Sequence, residues 1–282
     1  MNNNTLTHNA TSSNANQALW EKGDFTRIAE TMRTSGKSFV ASLGIQTGER
    51  VLDLGSGDGT TAIPAAQLNA EVLGVDIARN LVDAGNKRAT HLALTNCRFE
   101  QGCATDLGHL QDQSFDKVVS VFGAMFAPKP EQVAKEMVRV TRPGGRIIMG
   151  NWIPNDPTLV AQILRICSAY TPSPSAGFVS PMLWGDSGHV KARFIGAGIP
   201  ETDIAMHTDQ WMFEFEGSPD DFVRVFRDYY GPTMNAFDAA SQAGREEELM
   251  GELEALFLSK NVSDSPNRTV IPATFLRVVV QA

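Results

Sequence analysis

A glycine-rich turn between a buried strand and a helix is the feature that most constrains the fold of this chain. The sequence VLDLGSGDGTT occupies residues 51–61, and a helical pattern follows directly. Such a turn brings the backbone N–H groups of a helix start up to a nucleotide-like ligand. Glycine is favoured there because it adopts positive φ and has no side chain to collide with the ligand. The pattern therefore predicts a strand, a ligand-binding turn and a helix within an α/β fold.

The spacing of the glycines narrows the kind of ligand. A dinucleotide fingerprint reads G-x-G-x-x-G, whereas here Gly55, Gly57 and Gly59 alternate and Thr60 stands where the third glycine belongs. Asp53 adds a carboxylate at the tip of the strand. Because this charge repels a pyrophosphate and attracts an ammonium group, the motif favours a ligand that carries a positive charge.

Strand and helix patterns alternate around this turn. Such alternation implies parallel strands that are joined by right-handed crossovers. Ligands bind at the carboxyl ends of these strands, where the glycine turn also lies. We predict strands near 50–54, 71–76, 97–101, 115–122 and 145–151. We predict helices near 18–43, with a break near Ser35 and Gly36, and near 60–69, 79–93 and 131–140.

Five segments, in the right order over about 48–152, resemble the motifs of class I S-adenosylmethionine (SAM)-dependent methyltransferases. The ubiquinone/menaquinone-methyltransferase-like group is the most similar. This resemblance implies a Rossmann-like, seven-stranded, mostly parallel sheet with an antiparallel last strand, helices on both faces and a helical cap. The segments are DLGSGDG (53–59), VLGVD (72–76), QGCATDL (101–107), SFDKVVS (114–120) and RVTRPGGRII (139–148).

The resemblance also implies a cofactor, SAM, with S-adenosylhomocysteine (SAH) as its product. Asp53 and the carbonyls of the glycine turn would meet the methionine ammonium, and Asp76 would accept hydrogen bonds from both ribose hydroxyls. Ile77 would pack on the adenine, and the N-terminal helices would lie over the pocket. The expected cofactor-binding residues are Asp53, Gly55, Ser56, Gly57, Asp76, Ile77, Cys103, Ala104, Val121 and Phe122.

Cys103 departs from the family pattern. Many relatives carry an aspartate at this position, which receives the adenine amino group, and a thiol is a poor acceptor. We expect either that adenine recognition depends on the backbone of Ala104 and the carboxylate of Asp106, or that the affinity for SAM is lower.

The segment after the fourth strand borders the transferred methyl group in the resembled fold, and its aromatic side chains suit a sulfonium. The expected acceptor-pocket residues are Met125, Phe126, Asn151, Trp152 and Trp184. We assign no catalytic base, because in-line transfer needs one only when the acceptor holds a proton that resists removal. The candidates for that role are His189, His207, Tyr229 and Tyr230.

The charge balance argues against a nucleic acid as the acceptor. The 282 residues carry a formal net charge of −8 and no Lys/Arg-rich run, whereas phosphate binding needs a basic surface. The sequence lacks a secretory signal and an apolar run of membrane-spanning length, and its three cysteines form no CxxC pair. We therefore expect a cytoplasmic protein that does not bind membranes. We also expect it to bind no metal, because the sequence shows no metal-ligand spacing. Nothing indicates its oligomeric state.

The pattern changes after Trp152, where prolines become frequent. A strand at 210–216 and a final strand at 274–280 are predicted to form the hairpin that completes the sheet. The expected parts are a disordered tail (1–17), N-terminal helices with the cofactor-binding core (18–152), and the rest of the core (153–282) with inserted acceptor-cap segments at about 153–186 and 218–262.

These features predict methyl transfer from SAM to a small, partly hydrophobic metabolite, and they leave two alternatives open. Related sites occur in proteins that cyclise or cleave SAM, or that bind it as non-catalytic partner subunits. An NAD-dependent oxidoreductase uses a similar sheet, although Thr60 and Asp53 both count against a dinucleotide.

Overall fold

The computed structural model describes residues 15–174 and 177–282. Its core is a seven-stranded sheet with the order β3-β2-β1-β4-β5-β7-β6. The first five strands pair in parallel, and β7 runs antiparallel to both of its neighbours, β5 and β6. The predicted Rossmann-like sheet is therefore confirmed. The strands are β1 (Arg50–Leu54), β2 (Glu71–Asp76), β3 (Cys97–Gln101), β4 (Phe115–Val121), β5 (Thr141–Trp152), β6 (Ile204–Phe215) and β7 (Thr269–Gln281).

Helices cover both faces of the sheet, as predicted. The central strands β1 and β4 are buried along almost their whole length, which is typical of parallel strands enclosed by helices. The helices are α1 (15–21), α2 (Thr26–Glu30), α3 (Arg33–Ala41), α4 (Ala62–Gln67), α5 (Arg79–His91), α6 (Pro130–Val140), α7 (Leu159–Ser168), α8 (Ser187–Gly196), α9 (Pro219–Tyr229), α10 (Gly231–Gln242) and α11 (Glu246–Lys260).

The N-terminal helical region differs from the predicted single helix with a break near Ser35 and Gly36. The structure places three short helices here, and α3 continues through both residues. A side chain at Gly36 would lie 2.6 Å from the carbonyl oxygen of Thr60. Glycine is therefore required inside α3, because this helix packs directly on the glycine turn.

The free edge of β6 is covered by the N-terminal helices. The hydroxyl of Ser35 accepts a hydrogen bond from the N–H of Met212 (2.9 Å) and donates one to its carbonyl (3.1 Å). The carbonyl of Thr31 accepts a hydrogen bond from the N–H of Glu214 (2.8 Å). These bonds satisfy backbone groups of an edge strand and fix α2 and α3 beside β6.

Helices α9, α10 and α11 lie between β6 and β7 in the chain and pack on one another and on α7. Their junction supports α1, because close backbone approaches occur at two glycines. A Cβ at Gly23 would lie 2.6 Å from the carbonyl oxygen of Tyr229, and one at Gly231 would lie 2.4 Å from that of Leu19. This bundle therefore backs the N-terminal helices.

Several predicted boundaries are wrong, including the start of β5, which lies at Thr141 and not near 145. Strand β6 starts six residues earlier than the predicted start at 210, and β7 extends beyond 274–280 at both ends. The predicted tail at 1–17 lies outside the described residues up to residue 14, but residues 15–17 belong to α1. These residues are ordered by the helix that supports Trp20 against Phe25, with ring centroids 5.6 Å apart.

Candidate functional site

One pocket opens at the carboxyl ends of β1, β2 and β4, with an empty volume of about 900 Å³ that includes its opening to solvent. It lies where strand order reverses between β1 and β4, the usual ligand position in such sheets. We distinguish two sides. The glycine wall is formed by Gly55, Ser56, Gly57, Asp58, Thr60, Thr61, Val75, Asp76, Ile77, Gly102, Cys103 and Ala104, and the aromatic wall by Trp20, Phe25, Ala29, Met32, Phe122 and Trp211.

The glycine turn is shaped by backbone approach. Gly55 has a φ of +71°, and a Cβ on it would lie 2.6 Å from the Cα of Gly123. Gly57 also has positive φ, but a Cβ there would meet no protein atom within 4 Å. Gly55 thus permits contact between the ends of β1 and β4, whereas Gly57 borders space that a ligand can use.

Asp76 is buried at the tip of β2 and holds the turn. Its Oδ2 accepts a hydrogen bond from the N–H of Gly57 (2.8 Å), and its Oδ1 accepts one from the N–H of Ala78 (2.9 Å). Burial raises the pKa of this carboxyl, while the backbone hydrogen bonds oppose the shift. Asp76 lines the pocket beside Ile77, where the sequence placed both of them.

Asp53 does not line the pocket, contrary to the expectation that it meets the ligand directly. Its side chain is buried behind the turn, where Oδ2 accepts a hydrogen bond from the hydroxyl of Thr61 and Oδ1 has no partner. Burial raises the pKa of Asp53 to about 7. Since Thr61 itself lines the pocket, the carboxylate influences a ligand through that hydroxyl and through its charge.

Asp58 was missed by the sequence analysis, although it lies in the glycine motif. Its carboxylate is buried between Arg33 of α3 (2.8 Å) and Arg88 of α5 (3.2 Å). Burial raises the pKa of Asp58, and the two guanidinium groups oppose the shift. The ion pairs link the glycine turn to the N-terminal helices. The only available signal was an acidic residue inside a glycine turn, which does not reveal distant arginines.

Cys103 and Ala104 line the pocket as expected. The Sγ of Cys103 lies 3.0 Å from the hydroxyl oxygen of Thr105. Asp106, the suggested substitute for adenine recognition, is exposed outside the pocket lining and accepts a hydrogen bond from the N–H of Gly108 (3.0 Å). The loop that contains Asp106 holds this carboxylate, so the structure does not support the expectation that Asp106 recognises the adenine.

The aromatic wall comes from three distant parts of the chain. Trp20, Phe25 and Met32 belong to the N-terminal helical region, Phe122 follows β4, and Trp211 lies in β6. The N-terminal helices lie over the pocket, as the family resemblance implied. Trp211 was not predicted to line it, because its place in an alternating strand indicated only burial on one side.

Phe122 is the member of the aromatic wall with the most constrained backbone. Its φ is +61°, a conformation that a bulky residue rarely adopts. Its ring stacks on Trp152 with centroids 3.6 Å apart and lies edge-on to Trp211 at 5.1 Å. Val121 beside it also lines the pocket. The turn after β4 therefore holds an aromatic ring at the pocket by packing from behind.

The five residues expected to form the acceptor pocket do not line it. Trp152 is covered by the Phe122 ring, and Phe126 lies behind Trp20 with centroids 5.0 Å apart. Met125, Asn151 and Trp184 are buried, and Trp184 packs under Arg193 at 4.5 Å. Position near a strand end was a poor guide, because side chains there alternate between the two faces of the sheet.

Within the predicted cap segments, 153–186 and 218–262, none of the described residues lines the pocket. Tyr230, at the start of α10, instead packs behind the aromatic wall, 6.0 Å from Trp20 and 6.2 Å from Phe25. The wall itself comes from α1 to α3, β4 and β6. A cap role for these segments stays a prediction.

The chain matches a family model described as "Methyltransferase domain" over residues 45–217. This chain belongs to the methyltransferase-domain family. The match includes the glycine turn, the tip of β2 and β6 with Trp211, and the resemblance to class I methyltransferases is therefore confirmed.

Two relatives illustrate how sequence similarity is distributed in this methyltransferase-domain protein. An uncharacterized protein of Mycobacterium tuberculosis is 33% identical over 257 residues, which cover 88% of this chain and 90% of that protein. A demethylmenaquinone methyltransferase of Paenarthrobacter aurescens is 32% identical over 113 residues, or 40% of this chain and 42% of that enzyme.

Solved structures share the fold. A putative methyltransferase from Bacillus halodurans aligns with a TM-score of 0.57 at 15% identity, covering 88% of this chain and 98% of that one. Phosphoethanolamine N-methyltransferase 2 of Haemonchus contortus, in complex with phosphomonomethylethanolamine and SAH, aligns with a TM-score of 0.54 at 15% identity over 88% of this chain and 52% of that one.

The candidate bases of this methyltransferase-domain protein lie away from the pocket lining. His189 is exposed and lies 2.7 Å from Asp186 (Nδ1 to Oδ1), and His207 is exposed on β6. Tyr229 contacts the guanidinium of Arg27 at 5.7 Å. Burial raises the pKa of Tyr230, so its hydroxyl stays protonated at neutral pH. None of the four is placed to take a proton inside the pocket.

Two further features concern the described part of the chain. No helix within 15–174 and 177–282 combines the length and apolar character that crossing a bilayer requires. The same residues gather no group of three or more His, Cys, Asp or Glu side chains that could hold a metal ion.

Proposed function

We propose that this protein transfers a methyl group from SAM, in line, to a small and partly hydrophobic metabolite. The observation that carries the proposal is the glycine wall, in which buried Asp76 holds the N–H of Gly57 at an open pocket (2.8 Å). A methyltransferase-domain family match supports the chemistry, and the aromatic wall opposite supports a hydrophobic acceptor.

The residues present fit SAM. Gly57 leaves open space within 4 Å, and the hydroxyl of Ser56, which lines the pocket, is buried without a partner among the described residues. Asp76 would hold the ribose and Ile77 with Ala104 would hold the adenine. Asp53, acting with Thr61 from behind the turn, would favour the positive amino group. Cofactor-bound methyltransferases of this fold, such as the Haemonchus contortus enzyme with SAH, support this assignment.

SAM, when bound, supplies a methyl group on a sulfonium that is already a good leaving group. The protein then needs to align the acceptor and exclude water. The aromatic wall does both, because Phe122 is locked by Trp152 and Trp211. The glycine wall and the aromatic wall together contain three titratable side chains, Asp58, Asp76 and Cys103. Since the two carboxylates are already engaged, we propose transfer without a side-chain base.

Calorimetric titration with SAM, SAH and NAD tests this function. We expect both adenosyl compounds to bind in the micromolar range and NAD not to bind. Binding of NAD alone, or of none of the three, would overturn the proposal.

Asp76→Ala is the decisive variant. We expect SAM affinity to fall more than about tenfold, because two charge-assisted hydrogen bonds to the ribose would be lost. Asp106→Ala is the matched control, since this aspartate ends the neighbouring loop outside the pocket lining. Equal affinities for the two variants would contradict the role of Asp76, provided that both melt near the wild-type temperature.

A further inference from the structure

Trp211 carries a polar group with no partner among the residues described, 15–174 and 177–282. Its side chain is 1% exposed, and its Nε1 forms no hydrogen bond. A buried indole N–H usually has a partner, and an unsatisfied buried donor costs about 1–3 kcal/mol. Trp211 also lines the pocket. Because the residue borders the pocket, a molecule bound there can supply the missing partner.

The surroundings hold the Trp211 ring in place. Phe39, Phe122 and Phe275 contact it with centroids 5.9, 5.1 and 6.1 Å away. The next residue, Met212, is fixed to α3 by both hydrogen bonds of Ser35. An indole that cannot rotate presents its N–H in one direction, as a recognition group requires.

Among the residues that the structure describes, the pocket lining offers no positive side chain to an acceptor, since it includes no Lys, Arg or His. The guanidinium groups of Arg33 and Arg88, which reach the glycine turn, are paired with Asp58. A phosphate or carboxylate seated on the aromatic wall would thus lose its hydration without gaining a counter-ion. The wall suits an uncharged molecule.

We propose that the methyl acceptor is an uncharged hydrophobic molecule with a hydrogen-bond-accepting oxygen, and that the indole N–H of Trp211 positions it by donating to that oxygen. This inference rests on the proposed function, since it places the acceptor beside bound SAM. Trp211 is a positioning and specificity residue, while the aromatic wall supplies apolar contact.

Three small probes separate these contributions. Acetophenone, cumene and benzoate share a phenyl ring and carry a carbonyl, an isopropyl group and a carboxylate. Each is titrated into protein that is uniformly labelled with ¹⁵N and saturated with SAH, whose sulfur is uncharged. The four tryptophans give four indole N–H resonances, and Trp211→Phe assigns one of them.

We expect acetophenone to shift the Trp211 resonance downfield, cumene to bind without that shift, and benzoate to bind at least about tenfold more weakly than acetophenone. Trp211→Phe should weaken acetophenone binding about five- to tenfold more than it weakens cumene binding. Trp184→Phe is the matched control, because Trp184 is equally buried with an unpartnered Nε1 but lies outside the pocket lining.

The outcomes separate this inference from the function beneath it. If SAH fails to bind, the proposed function falls and the inference falls with it. If SAH binds while acetophenone leaves Trp211 unmoved, benzoate binds as well as acetophenone, or no probe binds, the inference alone is overturned. An equal loss of acetophenone affinity in Trp184→Phe would also overturn it, because that loss would reflect the core.

Discussion

The two walls of the pocket are built in opposite ways. The glycine wall comes largely from short segments at the tips of β1, β2 and β3, and its shape depends on backbone contacts such as that between Gly55 and Gly123. The aromatic wall joins residues as far apart as Trp20 and Trp211, and its shape depends on ring packing.

The two walls therefore differ in how well they tolerate amino-acid substitutions. Backbone approach at Gly55 leaves no room for a single added carbon, so the shape of the glycine wall is fixed by the fold. Ring packing in the aromatic wall accepts other side chains of similar volume. We therefore expect proteins built this way to keep one cofactor while their methyl acceptors differ.

The largest effect is expected where the two walls meet. Asp58 belongs to the glycine turn, and its partner Arg33 follows Met32 of the aromatic wall. Asp58→Ala would remove a buried carboxylate and leave two half-buried guanidinium groups facing each other, at a cost of about 3–5 kcal/mol. Urea unfolding measures this loss, and SAH titration should show weaker binding as the turn loosens.

Asp83→Ala provides the control for Asp58. Its ion pair with Arg79 is exposed and 3.4 Å long, and such pairs contribute little. If both variants unfold at the same urea concentration, Asp58 does not join the two walls.

A smaller effect is expected inside the glycine wall. Gly55→Ala places a side chain in the left-handed region, which costs about 1–2 kcal/mol, and drives it into Gly123, which adds about 1–3 kcal/mol. Gly144→Ala shares the first cost, with a φ of +78°, but meets nothing within 4 Å. Thermal unfolding should therefore separate the two. Equal melting temperatures would show that the contact with Gly123 relaxes freely.

The sheet was predictable where burial follows a simple pattern. The bounds of β1, β2 and β3 match the predicted strands. Mostly apolar runs mark β1 and β2 as enclosed parallel strands, whereas β3 lies at the sheet edge and mixes buried and exposed residues. Strand β6 was truncated in the prediction, since most of 205–210 is exposed at the sheet edge and has no apolar alternation. Strand β7 was truncated too, because Pro272 argued against a strand. Pro272 itself pairs only with β6, because it lies beyond the end of β5.

The site was predictable only where it is local. Gly57, Asp76 and Cys103 were found because each lies in a contiguous motif at a strand end. Trp211 was not predicted, because the sequence pattern of an apolar residue on a strand is the same whether it faces a core or a pocket. Trp152 was misplaced for a related reason, since its ring is covered by Phe122, a contact that requires an unusual backbone at that residue.

The smallest effect concerns charge behind the glycine wall. The pKa of Asp53 is about 7 in the folded protein against an ordinary value of 3.8. The native state thus holds this proton more tightly than the unfolded state, and stability falls as pH rises between these values. We expect the free energy of unfolding of Asp53→Asn, measured without ligand, to fall less from pH 5 to pH 8 than that of the wild type, by up to about 3 kcal/mol.

Thr61→Val tests the same carboxyl in a second way, because the Thr61 hydroxyl lowers the pKa of Asp53 by donating a hydrogen bond to it. Without this bond the carboxyl should titrate about one pH unit higher, so the decline in stability continues to higher pH before it levels off. Asp53→Asn should flatten the profile and Thr61→Val should extend it, whereas a general loss of packing would shift both curves downward without changing their shape. Parallel profiles for all three proteins would mean that Asp53 is ionised throughout and that the glycine wall carries a permanent negative charge behind its turn.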